Sequence, residues 1–189
     1  MYRKGHMITG INLGVCLTIG AINWFNVPYL IAIVSGYLTY KGSMAPDYLE
    51  MRWFDREKQE IRSIIPHRTI THWLLLWVAC MVFAGYKFYQ GGVWWLLPFA
   101  YCAGGVLHIL LDLPNKKPIP IFLPVGGTCL KWWASNEKQG IICLITSLLM
   151  AGFIYLSFID RWQDIATEPM KYWQAFCQQV EYEMKRLAG

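Results

Sequence analysis

The chain has 189 residues, 56% of them hydrophobic and 15% charged, with a mean hydropathy of +0.31; this is too apolar and too poor in charge for a soluble domain. The same figures exclude a disordered chain, and the length with six scattered Cys excludes a small disulfide-stapled secreted domain, leaving one membrane-embedded unit. The formal charge of +5, from 17 Lys and Arg against 12 Asp and Glu, reads as cationic loops at a membrane surface and not as a nucleic-acid footprint.

Arg3 and Lys4, followed by an apolar run from Met7 to Trp24, have the outline of a secretion signal. No small-x-small cleavage site follows, so the run is read as a retained first helix. Val27 to Tyr40 is a second run of 14 residues, with Pro28 at its start and Gly36 inside, so it either crosses the membrane or lies tilted in it. From Trp53 to Ile65, the apolar Trp53, Phe54, Ile61, Ile64 and Ile65 are mixed with charges, which predicts a short helix lying on the membrane or on the other helices. Trp73 to Tyr89, Val93 to Leu113 and Gly140 to Ile159 complete a set of five runs, against the roughly 20 apolar residues a crossing helix needs. Pro118 to Pro124 is expected to form a re-entrant apolar hairpin, with Gly126-Gly127 as a turn. Beyond Pro169, the residues Met170, Trp173, Phe176, Cys177, Val180, Met184 and Leu187 recur every three or four positions, which predicts an amphipathic helix. Its polar face carries both signs of charge, so it suits a protein partner at residues 170–189 as well as membrane lipid. Cys16, Cys80, Cys102 and Cys143 fall inside the apolar runs, and no C-x-x-C pair occurs; they are read as small hydrophobes. The expected fold class is all-α: a polytopic membrane bundle of four to five crossing helices over residues 1–160, then the amphipathic helix over 161–189.

If all five runs cross, 12 of the 17 Lys and Arg fall in the loops on the N-terminal side, which predicts a cytoplasmic N-terminus and a C-terminus on the far side. That topology brings all four His to the cytoplasmic boundary. His6 precedes the first run, His67 and His72 flank the start of the third, and His108 ends the fourth with Asp112 four residues on. Asp47 closes the second run on the same side. The charge count used none of these residues, so their convergence is a separate observation.

Ionisable groups at the edge of an apolar helix need partners. His108 and Asp112, at i and i+4, project from one helix face and can share one ion or hydrogen-bond each other. His67 and His72 are five apart, about 140° on a helix, so they converge only if His67 lies in the entering loop. Imidazole and carboxylate together are ligands for zinc, manganese or iron, and hydrolytic sites keep a coordination position open for water. Arg68 is placed to pair with a ligand carboxylate or to bind a substrate phosphate. The abundant Trp fit belts at the two membrane interfaces.

These elements resemble the YdjM-like family of bacterial inner-membrane proteins, described as membrane-bound metal-dependent hydrolases. The resemblance rests on Gly5-His6, Ala45-Pro46-Asp47, His67-Arg68-Thr69-Ile70-Thr71-His72, Leu107-His108-Ile109-Leu110-Leu111-Asp112 and the Pro118–Pro124 stretch, in order over residues 5 to 124. It departs where the family has Asp-x-Asp-His, since this chain has Asp47-Tyr48-Leu49-Glu50. The resemblance implies a divalent metal, with zinc expected, held by His6, Asp47, His67, His72, His108 and Asp112. Asp47 or Glu50 is expected as general base and Arg68 as a substrate contact. The expected activity is metal-assisted hydrolysis of an ester or phosphoester of a lipid or membrane-associated substrate. The alternative is a membrane scaffold or complex subunit in which the same cluster is structural.

Overall fold

The computed structural model describes residues 1–188 apart from 57, 67, 125, 135 and 136. In chain order, the helices α1 (Arg3–Phe25), α2 (Tyr29–Gly42) and the one-turn α3 (Ala45–Tyr48) are followed by strands β1 (Arg52–Asp55) and β2 (Glu60–Ser63). Then come α4 (Leu74–Tyr89), α5 (Leu96–Asp112), α6 (Gln139–Ser157), the short α7 (Trp162–Thr167) and α8 (Pro169–Ala188). Among the described residues, three stretches are long and apolar enough to cross a membrane: α1, Val93–Asp112 and α6. At 1.5 Å per residue, the 14 residues of α2 and the 16 of α4 reach about 21 and 24 Å, short of the roughly 30 Å hydrocarbon layer. They run alongside the longer helices all the same.

The start of α1, the end of α2, the start of α4, the end of α5 and the start of α6 meet at one end of the bundle. Ser43 Oγ donates to the His6 carbonyl at 2.9 Å, and the Tyr2 amide donates to Gln139 Oε1 at 2.9 Å. Small residues bring the backbones together there, as is usual where lipid gives no hydrophobic drive to helix pairing. A Cβ on Gly14 of α1 would lie 2.5 Å from the Gly36 carbonyl oxygen of α2. On α5, Ala100, Gly104, His108 and Asp112 recur every fourth position and are all buried. A Cβ on Gly104 would lie 2.1 Å from the Thr39 carbonyl oxygen of α2. The functional side chains thus sit on the stripe that packs most closely.

Polar contacts hold α6, which has no buried residue of its own, against α1. Asn12 Nδ2 donates to Thr146 Oγ1 at 3.1 Å and to Ser147 Oγ at 3.0 Å. Asn12→Leu is expected to cost about 0.6–2 kcal/mol, seen as a lower thermal midpoint in detergent. An unchanged midpoint would mean that these bonds do not hold α6.

One expectation is corrected. The described residues of 53–65 form no helix; β1 and β2 pair antiparallel, with Trp53 opposite Arg62 and Phe54 opposite Ile61. Gln59, just before β2, has a left-handed backbone at φ 52°. The Pro118–Pro124 stretch turns back through an antiparallel Ile119–Thr128 bridge and also caps the start of α4. Ile119 exchanges both backbone bonds with Thr128 at 2.9 Å, while the carbonyls of Pro120 and Ile121 accept the Leu74 and Leu75 amides at 3.1 and 3.2 Å. Those amides are among the orphan donors at the start of α4. Gly127 is required at this crossing, because a Cβ there would meet the Ile119 backbone at 2.9 Å.

At the other end of the bundle an apolar cavity of about 930 Å³ opens between α1, α4 and α5, with Trp24, Phe25, Tyr89, Val93 and Phe153 among its lining. The start of α2 lies at this end and is capped from outside. Glu183 of α8 accepts the Tyr29 amide at Oε1 and the Leu30 amide at Oε2, both at 2.9 Å, and Gln179 Nε2 at 3.0 Å. Burial alone pushes the Glu183 carboxyl up, but these hydrogen bonds outweigh it and hold it below the ordinary carboxylate range. Its folded value being the lower, the contact contributes stability above the ordinary range and loses it only as the pH falls through that lowered value. At neutral pH it is fully formed.

Candidate functional site

Each side chain of the site is supplied by a helix end. His6 comes from the first turns of α1, Asp47 from α3, His72 from the 3-10 turn leading into α4, and His108 and Asp112 from the last turns of α5. His67 lies outside the described residues. His6, His72 and His108 are all buried, with at most 1% exposure, and their rings form one group. His6 and His108 stack at 3.8 Å between centroids and 16° between planes, and His72 meets His108 edge-on at 5.3 Å.

The hydrogen bonds decide which ring nitrogens face inward. His108 Nδ1 lies 2.7 Å from the Ser43 carbonyl oxygen, which can only accept, so Nδ1 carries the proton and Nε2 keeps its lone pair. His72 Nδ1 faces the fully buried Glu50, 3.3 Å from Oε1, and Thr71 Oγ1 at 3.1 Å; its Nε2 points to Asp47 Oδ1 at 3.7 Å. Histidines that bind metals are held in this way, with the outer nitrogen tied to a carbonyl or carboxylate and the inner one bare. His6 Nε2 is 3.3 Å from Asp112 Oδ1 without the alignment of a hydrogen bond. His108 Nε2 and both nitrogens of His6 have no hydrogen-bond partner among the described residues, a costly state for buried polar atoms.

Among the described residues, two sets of donors could hold a metal ion: His6, His108 and Asp112, and Asp47, His72 and His108. Within each set the donor atoms lie within 4.8 Å of one another. Donors roughly 2.0–2.1 Å from a tetrahedral ion are about 3.4 Å apart. The distances of 3.3 Å from His6 to Asp112, 3.7 Å from His72 to Asp47 and 4.0 Å from His108 Nε2 to Asp112 Oδ2 suit that geometry after small adjustments. The residues present therefore fit a small divalent ion.

Arg68 and Glu50 make contacts that bear on the roles expected of them. Arg68 donates from Nη2 to Asp112 Oδ2 at 3.0 Å and from Nη1 to the Lys117 carbonyl at 2.5 Å, and its side chain is largely buried. Of the two roles open to it, pairing with a ligand carboxylate is the one its geometry serves. Its backbone is left-handed, at φ 61°, with the amide given to Glu50 Oε1 at 3.2 Å. Glu50 stands behind His72, on the side away from Asp47. Sequence reasoning missed Ser43, whose carbonyl orients His108, and Asn115 and the Met1 amino group, which both donate to Asp112 Oδ1. The Asp47 side chain, 38% exposed, is the open member of the group.

No curated protein and no solved structure matches the chain. A family model described as YdjM inner membrane protein matches residues 1–176, from the first turn of α1 into α8 and across every member of the cluster. The chain belongs to the YdjM inner membrane protein family.

Proposed function

We propose that this protein is an integral inner-membrane hydrolase that uses a divalent metal, zinc in the first instance, on an ester or phosphoester of a lipid or other membrane-associated substrate. The observation that carries the metal is His108 Nε2: buried, without a hydrogen-bond partner among the described residues, and facing donors of both sets. His nitrogens with carboxylate oxygens are a zinc donor set. With Nδ1 committed to Ser43, His108 has one nitrogen to give, so the cluster is read as holding a single ion. A bound zinc ion supplies water activation near neutral pH and polarises the scissile bond.

The other roles follow from position. His108 with Asp112 and either His6 or His72 would hold the ion and leave a coordination position for water, and Arg68 holds Asp112 in place. Asp47, on the open edge, takes the proton from the attacking water and so serves as general base. Glu50 keeps His72 in the tautomer with its lone pair inward, as a positioning residue. Exposed Leu49, Met51 and Ile70 flank these residues in sequence, and exposed Phe122 and Leu123 lie in the segment that caps the start of α4, an apolar surface suited to a substrate presented by the bilayer. The cationic loops at this end support a cytoplasmic location for the site.

Glu50→Gln separates two readings of that residue. A positioning role predicts a loss of roughly 10–100-fold in metal affinity, with kcat largely restored at saturating zinc. A general base would give unchanged affinity and a kcat that no zinc concentration restores. The activity itself is tested with zinc-loaded protein on fluorogenic phosphoesters, carboxylesters and phospholipid vesicles. Hydrolysis that is lost in Asp47→Asn supports the proposal. Bound zinc with every substrate class untouched would favour the scaffold reading, to which the replacement of the family's second Asp and His by Leu49 and Glu50 lends support.

A further inference from the structure

α8 has 20 residues, the length of a crossing helix, yet Lys171, Gln174, Gln178, Glu181 and Lys185 give it a polar face that excludes a transmembrane path. Its other face is divided in two. Tyr172, Phe176, Val180 and Glu183 are at least half-buried and form the edge facing the start of α2, where Phe176 stacks on Tyr29 at 5.6 Å. Beside that edge, Met170, Trp173, Cys177 and Met184 fall within about 60° of arc at 3.6 residues per turn, and all four are exposed. Docking to α2 thus leaves an apolar stripe uncovered.

The position of α8 identifies what covers the stripe. Glu183 fastens the helix to the first amides of α2, at the end of the bundle opposite the histidine cluster. The same end carries exposed aromatics from separate elements: Trp24 and Phe25 of α1, Tyr89 of α4, Trp94 before α5 and Trp162 of α7. Such a ring marks the level at which a membrane protein meets the headgroups. Trp173 extends it, so the stripe continues a surface that already faces lipid. We infer that α8 lies in the plane of the membrane surface on the side away from the histidine cluster, its Met170, Trp173, Cys177 and Met184 stripe in the lipid, held at that depth by the Glu183 contact with α2. The ligand of this face is the bilayer interface and not a protein partner. On the polar face Lys171 and Lys185 each pair with a glutamate, Lys171 Nζ with Glu168 at 3.0 Å and Lys185 Nζ with Glu181 at 2.7 Å.

The test uses full-length protein in vesicles of phosphatidylethanolamine and phosphatidylglycerol, with the other cysteines replaced and a spin label on Cys177 or, in a second variant, on a cysteine at position 178. The label on Cys177 is expected to collide with oxygen severalfold more than with a water-soluble nickel chelate, and the label at 178 to show the reverse. Equal access to the chelate at both positions would overturn the inference. So would shielding of Cys177 from both reagents, which indicates a protein covering the stripe. Glu183→Ala is expected to raise label mobility and shift Cys177 towards the chelate, with Glu183→Gln intermediate. An unchanged profile in Glu183→Ala would overturn the holding role of that residue.

Discussion

A variant carrying both His72→Ala and His108→Ala is expected to purify with negligible divalent metal, where the wild type carries about one ion per chain. His108 belongs to both donor sets, so its loss leaves each with two donors, and the loss of His72 takes another from the second set. Changing groups that merely orient a ligand costs 10–100-fold in affinity; deleting two ligands costs more. The variant also removes His108 Nε2, a buried polar atom with no hydrogen-bond partner among the described residues, which offsets part of the packing it loses. The stabilisation that zinc confers grows with its concentration relative to Kd. Chelator is therefore expected to lower the thermal midpoint of the wild type and to leave that of the double variant alone. Equal metal content and an equal response to chelator in both proteins would remove the metal from the account.

Gly104→Leu should have the next largest effect, although residue 104 is not itself a ligand. Its Cβ would fall 2.1 Å from the Thr39 carbonyl oxygen and 2.6 Å from the Ser43 amide nitrogen, atoms of backbone that no rotamer change can move. α2 and α5 must therefore separate. Overpacking costs about 1–3 kcal/mol where side chains can yield, and this contact is expected at or beyond the upper end. His108 is one turn further along α5, and its Nδ1 depends on the Ser43 carbonyl 2.7 Å away. Separation breaks that bond, frees the ring, and is expected to lower both metal affinity and the thermal midpoint. Gly152→Ala in α6 is the control, since nothing lies within 4 Å of the added Cβ, and it should leave both readouts unchanged. A Gly104→Leu protein as stable as that control would contradict the packing described for α2 and α5.

The helices and the meeting of His6, His72, His108 and Asp112 were legible in the sequence because both follow from simple counting. Apolar runs fix where helices start and stop, and their alternation fixes which ends share a side of the bundle. The 53–65 segment was misread because Trp53 and Phe54 at one end and Ile61, Ile64 and Ile65 at the other satisfy a helical period as well as a pair of short strands, and the pairing of Trp53 with Arg62 is not a local property. Ser43 gave no signal, since it acts through its backbone carbonyl, a group every residue carries. The placement of Glu50 depends on how the chain turns back from β2 to Arg68. Only the fold reveals that its carboxylate ends behind His72. For Arg68 the sequence left two roles open, and Asp112 Oδ2 at 3.0 Å selects one.

Anomalous scattering at the zinc edge, from crystals of the full chain grown with zinc, tests the central claim most directly. One peak per chain is expected, about 2.0–2.1 Å from His108 Nε2 and from a nitrogen of His6 or His72, with a carboxylate oxygen of Asp112 completing the set. A zinc-replete protein whose anomalous peak lies elsewhere, with the three imidazoles hydrogen-bonded only to one another and to protein groups, would contradict it.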